Sequence, residues 1–142
     1  MKQNTLFTFA LLLSAAIPTS ALAEDVCGFL DHKGLRITAN GHEGDAAYVS
    51  PGLSLSKAAD GTYTFQSVIF FKGEKGDKII GKCKDRHITF KRIREGGFEQ
   101  DYDGWLFEGG SAETLRGMAG TFAHNGVEQW SWYGQTIPTI PK

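Results

Sequence analysis

Between Gly81 and Trp132 the chain passes through short segments rich in aromatic and β-branched residues, at 81–93, 100–107, 115–122 and 127–133. Clusters containing Gly, Asn or Asp separate them. Such residues fit a pleated, half-buried surface, and the breaks carry turn chemistry. The pattern predicts an antiparallel meander in which each strand pairs with the one before it. No stretch longer than a few residues shows a helical period, so a helical fold is excluded.

The first half of the chain reads the same way. Residues 35–38 and 53–56 alternate apolar and polar, and with 46–50 they are expected to be short strands. Residues 24–30 are expected to enter the fold as another. Residues 62–71 form the longest candidate, with Tyr63, Phe65, Ser67, Ile69 and Phe71 on one face. Val68 and Phe70 make its second half apolar on both faces, which predicts a central strand or one that bends through the core. Residues 77–84 and 87–94 follow, joined tightly at Asp85-Arg86. Asp60-Gly61 and Asn125-Gly126 are hairpin signals, because both central residues of a type I′ turn need positive φ. Residues 136–142, with two prolines, are expected to be a tail. The fold class is all-β: an antiparallel up-and-down meander of about eight strands closed into a small barrel, with a β-sandwich as the alternative. Closure is favoured because glycines inside strands let a small sheet bend, and because it removes exposed edges.

Residues 1–23 read as a secretory signal peptide. Lys2 supplies the positive start, residues 6–17 an apolar run too short to span a bilayer, and Ala21-Leu22-Ala23 a small-residue cleavage pattern. The expected mature chain, 24–142, is one domain located in the periplasm or secreted, with no membrane span. Its two cysteines, Cys27 and Cys83, are expected to pair in an oxidising compartment. The bridge closes a loop of about 57 residues, worth roughly 4 kcal/mol on the chain-entropy account. The formal net charge is -1, and loss of Lys2 with the leader moves it to about -2, so the near-neutral mature chain lacks the footprint of a nucleic-acid binder.

The meander, the leader and the tryptophan-rich last strand, Trp130-Ser131-Trp132-Tyr133-Gly134, resemble the calycin group of lipocalin-like and avidin-like barrels. The start of the chain has Cys27-Gly28-Phe29-Leu30 where those families carry Gly-x-Trp, and no polar set maps onto a biotin pocket, so no binding residue is carried over. Size, compartment and strand count also resemble small secreted lysozyme inhibitors, which are disulfide-tied β-barrels.

Catalytic chemistry has little support. There is no Gly-x-Ser-x-Gly and no serine beside a histidine. His32, His42, His87 and His124 show no metal-ligand spacing, and the His42-Glu43-Gly44-Asp45 stretch reads as a polar loop. Asp85-Arg86-His87 reads as turn chemistry with a surface ion pair. Glu99, Asp101 and Asp103 share one face of a strand, which suits a solvent face better than a glycosidase pair. No catalytic residue, metal or cofactor is therefore assigned. Aromatic residues with a polar handle carry the functional signal: Tyr63, Tyr102, Trp105, Trp130 and Trp132, with Tyr133 beside them. In an open barrel they would line a site for a small apolar or aromatic ligand. In a filled barrel the partner would instead be an envelope protein, as for an inhibitor or immunity protein acting on a cell-wall hydrolase, met through the loops at 42–45, 72–78 or 108–113. A structural envelope protein is the third expectation.

Overall fold

The computed structural model describes residues 25–41, 44–71, 75–107, 116–126 and 128–138. The expected leader therefore lies outside the described residues, as do all of 108–113 and the tips of the other two candidate loops. Among these described residues nine strands follow a single 3-10 turn: β1 (Gly34–Gly41), β2 (Gly44–Ser50), β3 (Ser54–Lys57), β4 (Tyr63–Ile69), β5 (Asp77–Lys84), β6 (His87–Ile93), β7 (Glu99–Leu106), β8 (Gly117–His124) and β9 (Glu128–Ile137). All belong to one sheet in the order β2-β1-β9-β8-β7-β6-β5-β4-β3. The whole run from β3 to β9 is the expected meander. A single continuous sheet is not a sandwich.

The sheet curls until its two ends touch. Val49 of β2 and Phe70, just past β4, exchange both backbone hydrogen bonds, at 3.0 and 2.8 Å. Beyond this backbone bridge, β2 and β4 are linked by side chains, the Ser50 and Ser67 hydroxyls lying 2.8 Å apart, with no continuous ladder between them, so the barrel is incompletely closed. The seam falls between β2 and β3, while the first and last strands pair along their length. That pairing extends β9 beyond the expected strand. Thr136 and Ile137, read as tail, are in the sheet, and Thr136 is fully buried with its hydroxyl accepting from the Arg116 N–H at 2.7 Å.

Two other expectations need correction. Of the expected strand at 24–30, the described residues 25–30 form none: Gly28–Leu30 is a 3-10 turn. The Asp25 carboxylate accepts from the Gly28 N–H at 3.0 Å, giving the backbone a local partner that competes with sheet pairing. Val26, Cys27 and Leu30 are buried in the core, and Cys27 is bridged to Cys83 of β5 with the Cα atoms 5.7 Å apart. The second half of β4 is not central. Strand β3 ends opposite Gln66, so Val68 and Phe70 point outward beside an edge and remain 39% exposed.

The turns follow their residue chemistry. Asp85 and Arg86 both have positive φ, 48° and 72°, and connect β5 to β6 in two residues. Asn125 and Gly126 also have positive φ, 49° and 73°, although the pairing of His124 with Glu128 encloses three residues rather than two. Alternation then sorts the side chains. Leu35, Ile37, Phe65, Ile79, Ile88, Phe90, Tyr102, Leu106, Met118, Phe122 and Trp132 fill the inside of the curl.

Candidate functional site: a filled interior and an outer groove

Cross-strand register stacks the inward residues in rows. One row runs Leu55, Phe65, Gly81, Phe90, Tyr102, Phe122, Trp130 across β3 to β9. Its rings touch in sequence: Phe90 stacks on Tyr102 at 4.4 Å, Tyr102 on Phe122 at 5.1 Å and Phe122 on Trp130 at 5.4 Å. Such pairs contribute about 0.5–1.5 kcal/mol each beyond their buried area. The next inward row holds Ile88, Gly104, Gly120 and Trp132. Here two facing glycines leave space for an indole. A Cβ on Gly104 would lie 2.6 Å from Trp132 Cζ2, and one on Gly120 would lie 1.9 Å from the Asp103 carbonyl oxygen. Trp132 settles into that space, 1% exposed, and its Nε1–H is shared between the carbonyls of Asp103 and Thr121, each at 3.1 Å. Edge-on contacts from Trp132 to Phe90 and Tyr102 lock the two rows together.

The polar end of this core is also satisfied. Arg92 is buried, donates from Nε to Asp77 at 2.6 Å and from Nη1 to Gln100 at 3.0 Å, and lies over the Tyr48 ring. The Tyr102 hydroxyl donates to the same Gln100 oxygen at 3.1 Å. Burial pushes the Tyr102 phenol up to about 12. At the opposite end the Tyr63 hydroxyl donates to Asp25, which Lys57 also reaches at 3.0 Å. The Tyr63 hydroxyl, with the Gly28 N–H and Lys57, holds the Asp25 carboxyl below its ordinary range against the opposing effect of burial.

The five aromatic residues expected at a ligand site therefore separate. Tyr102, Trp130 and Trp132 come together as core packing. Tyr63 is half-buried and engaged with Asp25. Trp105 alternates with Gly104 and Leu106 and points to the other face, 53% exposed.

The outer face carries the concave feature. A groove of about 820 Å³ crosses β3 to β9, and each of the seven strands contributes to it. Its outward side chains lie in two adjacent rows. One row is Ser56, Thr64, Lys82, Thr89, Asp103 and Thr121. The other is Ser54, Gln66, Ile80, Lys91, Asp101, Ala123 and Gln129. The aromatic row lies behind the floor between them, and of the five expected residues only Tyr102 is part of the lining. At the usual strand spacing the groove is about 29 Å long. Its formal charges are two lysines and two aspartates, so it has no net sign. Lys91 lies 2.6 Å from Glu99 and 3.5 Å from Asp101.

Beside the groove, beyond the row of Asp103 and Thr121 and outside its lining, runs an aromatic bank. The next outward row is His87, Trp105, Ala119 and Tyr133. Trp105 and Tyr133 are 53% and 59% exposed, with Phe107, just past the end of β7, also 53% exposed. Trp105 is held in place: His87 packs on it at 4.9 Å, and His87 Nε2 sits 3.1 Å from both oxygens of the Asp103 carboxylate. His87 thus finds its carboxylate neighbour across strands, while Asp85 and Arg86 form the expected turn. Glu99, Asp101 and Asp103 each have a cationic or imidazole neighbour. Among the described residues no group of three His, Cys, Asp or Glu side chains could hold a metal ion. Also among them, no helix is long and apolar enough to cross a membrane.

The chain matches no protein family, no curated protein and no solved structure. The groove rows were not legible as a site in the sequence. Alternation marks Thr64, Lys82, Thr89 and Thr121 as outward, but only the register makes them neighbours.

Proposed function

We propose that this chain is an exported, non-enzymatic binding protein that holds its ligand on the outside of the barrel. The observation that carries this reading is the contrast between the two faces: continuous ring stacking fills the inside, while the open groove crosses the outside. Export is supported by the leader-like residues 1–23 and by the Cys27–Cys83 bridge. A non-enzymatic role is supported by the acids of β7, which have cationic or imidazole neighbours instead of facing each other across a cleft. The calycin resemblance remains one of architecture, compatible with a curled meander. It brings no binding residue with it.

Native mass spectrometry of the protein recovered from the exporting cell tests the reading. The expected species is an oxidised chain beginning near Glu24 with no tightly held small molecule. A stoichiometric extra mass that leaves only on denaturation would place a ligand inside the barrel and overturn the reading.

A second reading, a protein-binding inhibitor acting on a cell-wall hydrolase, is favoured by one observation. Trp105, Phe107 and Tyr133 form an exposed aromatic patch of the kind that anchors protein interfaces.

A further inference from the structure

We propose that the outer groove binds a neutral polysaccharide chain laid across the strands, with Trp105 and Tyr133, in the row beside the groove, stacking against sugar rings that overhang it. This rests on the reading that the outer face is the binding face. Three features of the groove select this ligand class.

The first is the kind of hydrogen-bonding group on offer. In the middle of a sheet the backbone N–H and C=O groups are consumed by the ladders, so an extended peptide cannot add itself as a strand there. What remains is side chains: hydroxyls from Thr64, Thr89 and Thr121, amides from Gln66 and Gln129, and carboxylates and ammoniums. These are donors and acceptors interleaved at strand spacing. A polyhydroxyl chain presents the matching set, because each sugar hydroxyl both donates and accepts.

The second is charge. Two lysines and two aspartates cancel, so the groove offers no field to attract a polyanion such as a nucleic acid or a sulfated glycan. A neutral chain incurs no such mismatch.

The third is the aromatic bank. The ring faces of Trp105 and Tyr133 are on neighbouring-but-one strands, about 10 Å apart by strand spacing, with only Ala119 between them. A small residue between two exposed rings leaves a shallow step where one sugar ring can rest on each. The apolar C–H face of a pyranose packs on an aromatic face, while its rim hydroxyls remain free to bond with the polar rows. His87 and Asp103 fix the indole before binding, which lowers the ordering cost.

The test is retention in affinity electrophoresis through gels containing linear β-glucan, α-glucan, chitin-type or mannan polymers. A sulfated polysaccharide gel and immobilised lysozyme run alongside. Wild type, Trp105→Ala, Tyr133→Ala and the groove-filling Thr89→Tyr are compared, all at outward positions, with thermal melting as the control for folding. The proposal expects retention by at least one neutral polymer and at least tenfold weaker retention for Trp105→Ala and Thr89→Tyr. Retention by none of the neutral polymers overturns it. If immobilised lysozyme or the sulfated polymer alone binds, and Thr89→Tyr abolishes that binding, the outer face is still the binding face and only the polysaccharide assignment falls. If binding occurs and none of the variants weakens it, both fall.

Discussion

Tyr102 links the core to the groove floor. Its ring sits in the aromatic row, its hydroxyl reaches Gln100, and its phenol is pushed up to about 12 by burial. The ordinary value is 10.0, so the unfolded chain loses this proton first. The sign follows from linkage: the contribution of Tyr102 is fully present below pH 10 and is lost as pH rises towards 12. In an ultraviolet titration one tyrosine should ionise late, with denaturant stability falling over the same interval. Tyr102→Phe should remove the late step. If all tyrosines ionise together near the ordinary value, the phenol is not buried as described. The chemistry of individual residues was the most legible part of the chain. Alternation placed Trp130 and Trp132 on one face correctly, because period 2 depends on no distant contact. Whether that face was a cavity or a packed core depended on Gly104 and Gly120 meeting across β7 and β8. No local pattern encodes that meeting.

At the scale of the element, β7 and β8 form the joint on which both faces depend. Gly120 lets Asp103 approach closely, which sets the Trp132 indole on the inside and the Asp103 carboxylate beside His87 on the outside. Gly120→Ala should cost roughly 1–3 kcal/mol through overpacking, read as a lower urea midpoint, and should shift the Trp132 fluorescence as its hydrogen bonds stretch. An unchanged midpoint would mean that the strands do not approach as closely as described. Strands β5 to β9 were readable because each carries strong alternation and a turn dipeptide. The ends of the chain were not. Residues 24–30 looked like a strand by composition, yet Asp25 ties them into a local turn. Thr136 looked like tail, yet pairing on both sides of β9 holds it in the sheet.

At the scale of the whole molecule, the incomplete closure explains why the fold has two unlike faces. The curl is tight enough for stacked rings to fill it, and its ends meet through a backbone bridge at Val49 and Phe70 and a hydroxyl contact between Ser50 and Ser67. The proposed binding is thereby assigned to the outer face, whose residues come from seven strands and are neighbours only through register. The all-β class and the disulfide could be read from the sequence. The filled interior and the outer groove could not, since they depend on how far a sheet curls. The most direct test is nitrogen-15 NMR of the folded protein, titrated separately with a neutral oligosaccharide and with a small apolar ligand such as a fatty acid. The account predicts that the oligosaccharide moves the Trp105 indole signal and the amides of Lys82, Thr89 and Thr121. The Trp130 and Trp132 indole signals should hold still in both titrations. Movement of Trp130 and Trp132 with the apolar ligand, and no response on the outer rows, would show that the interior opens to ligand and would contradict the account.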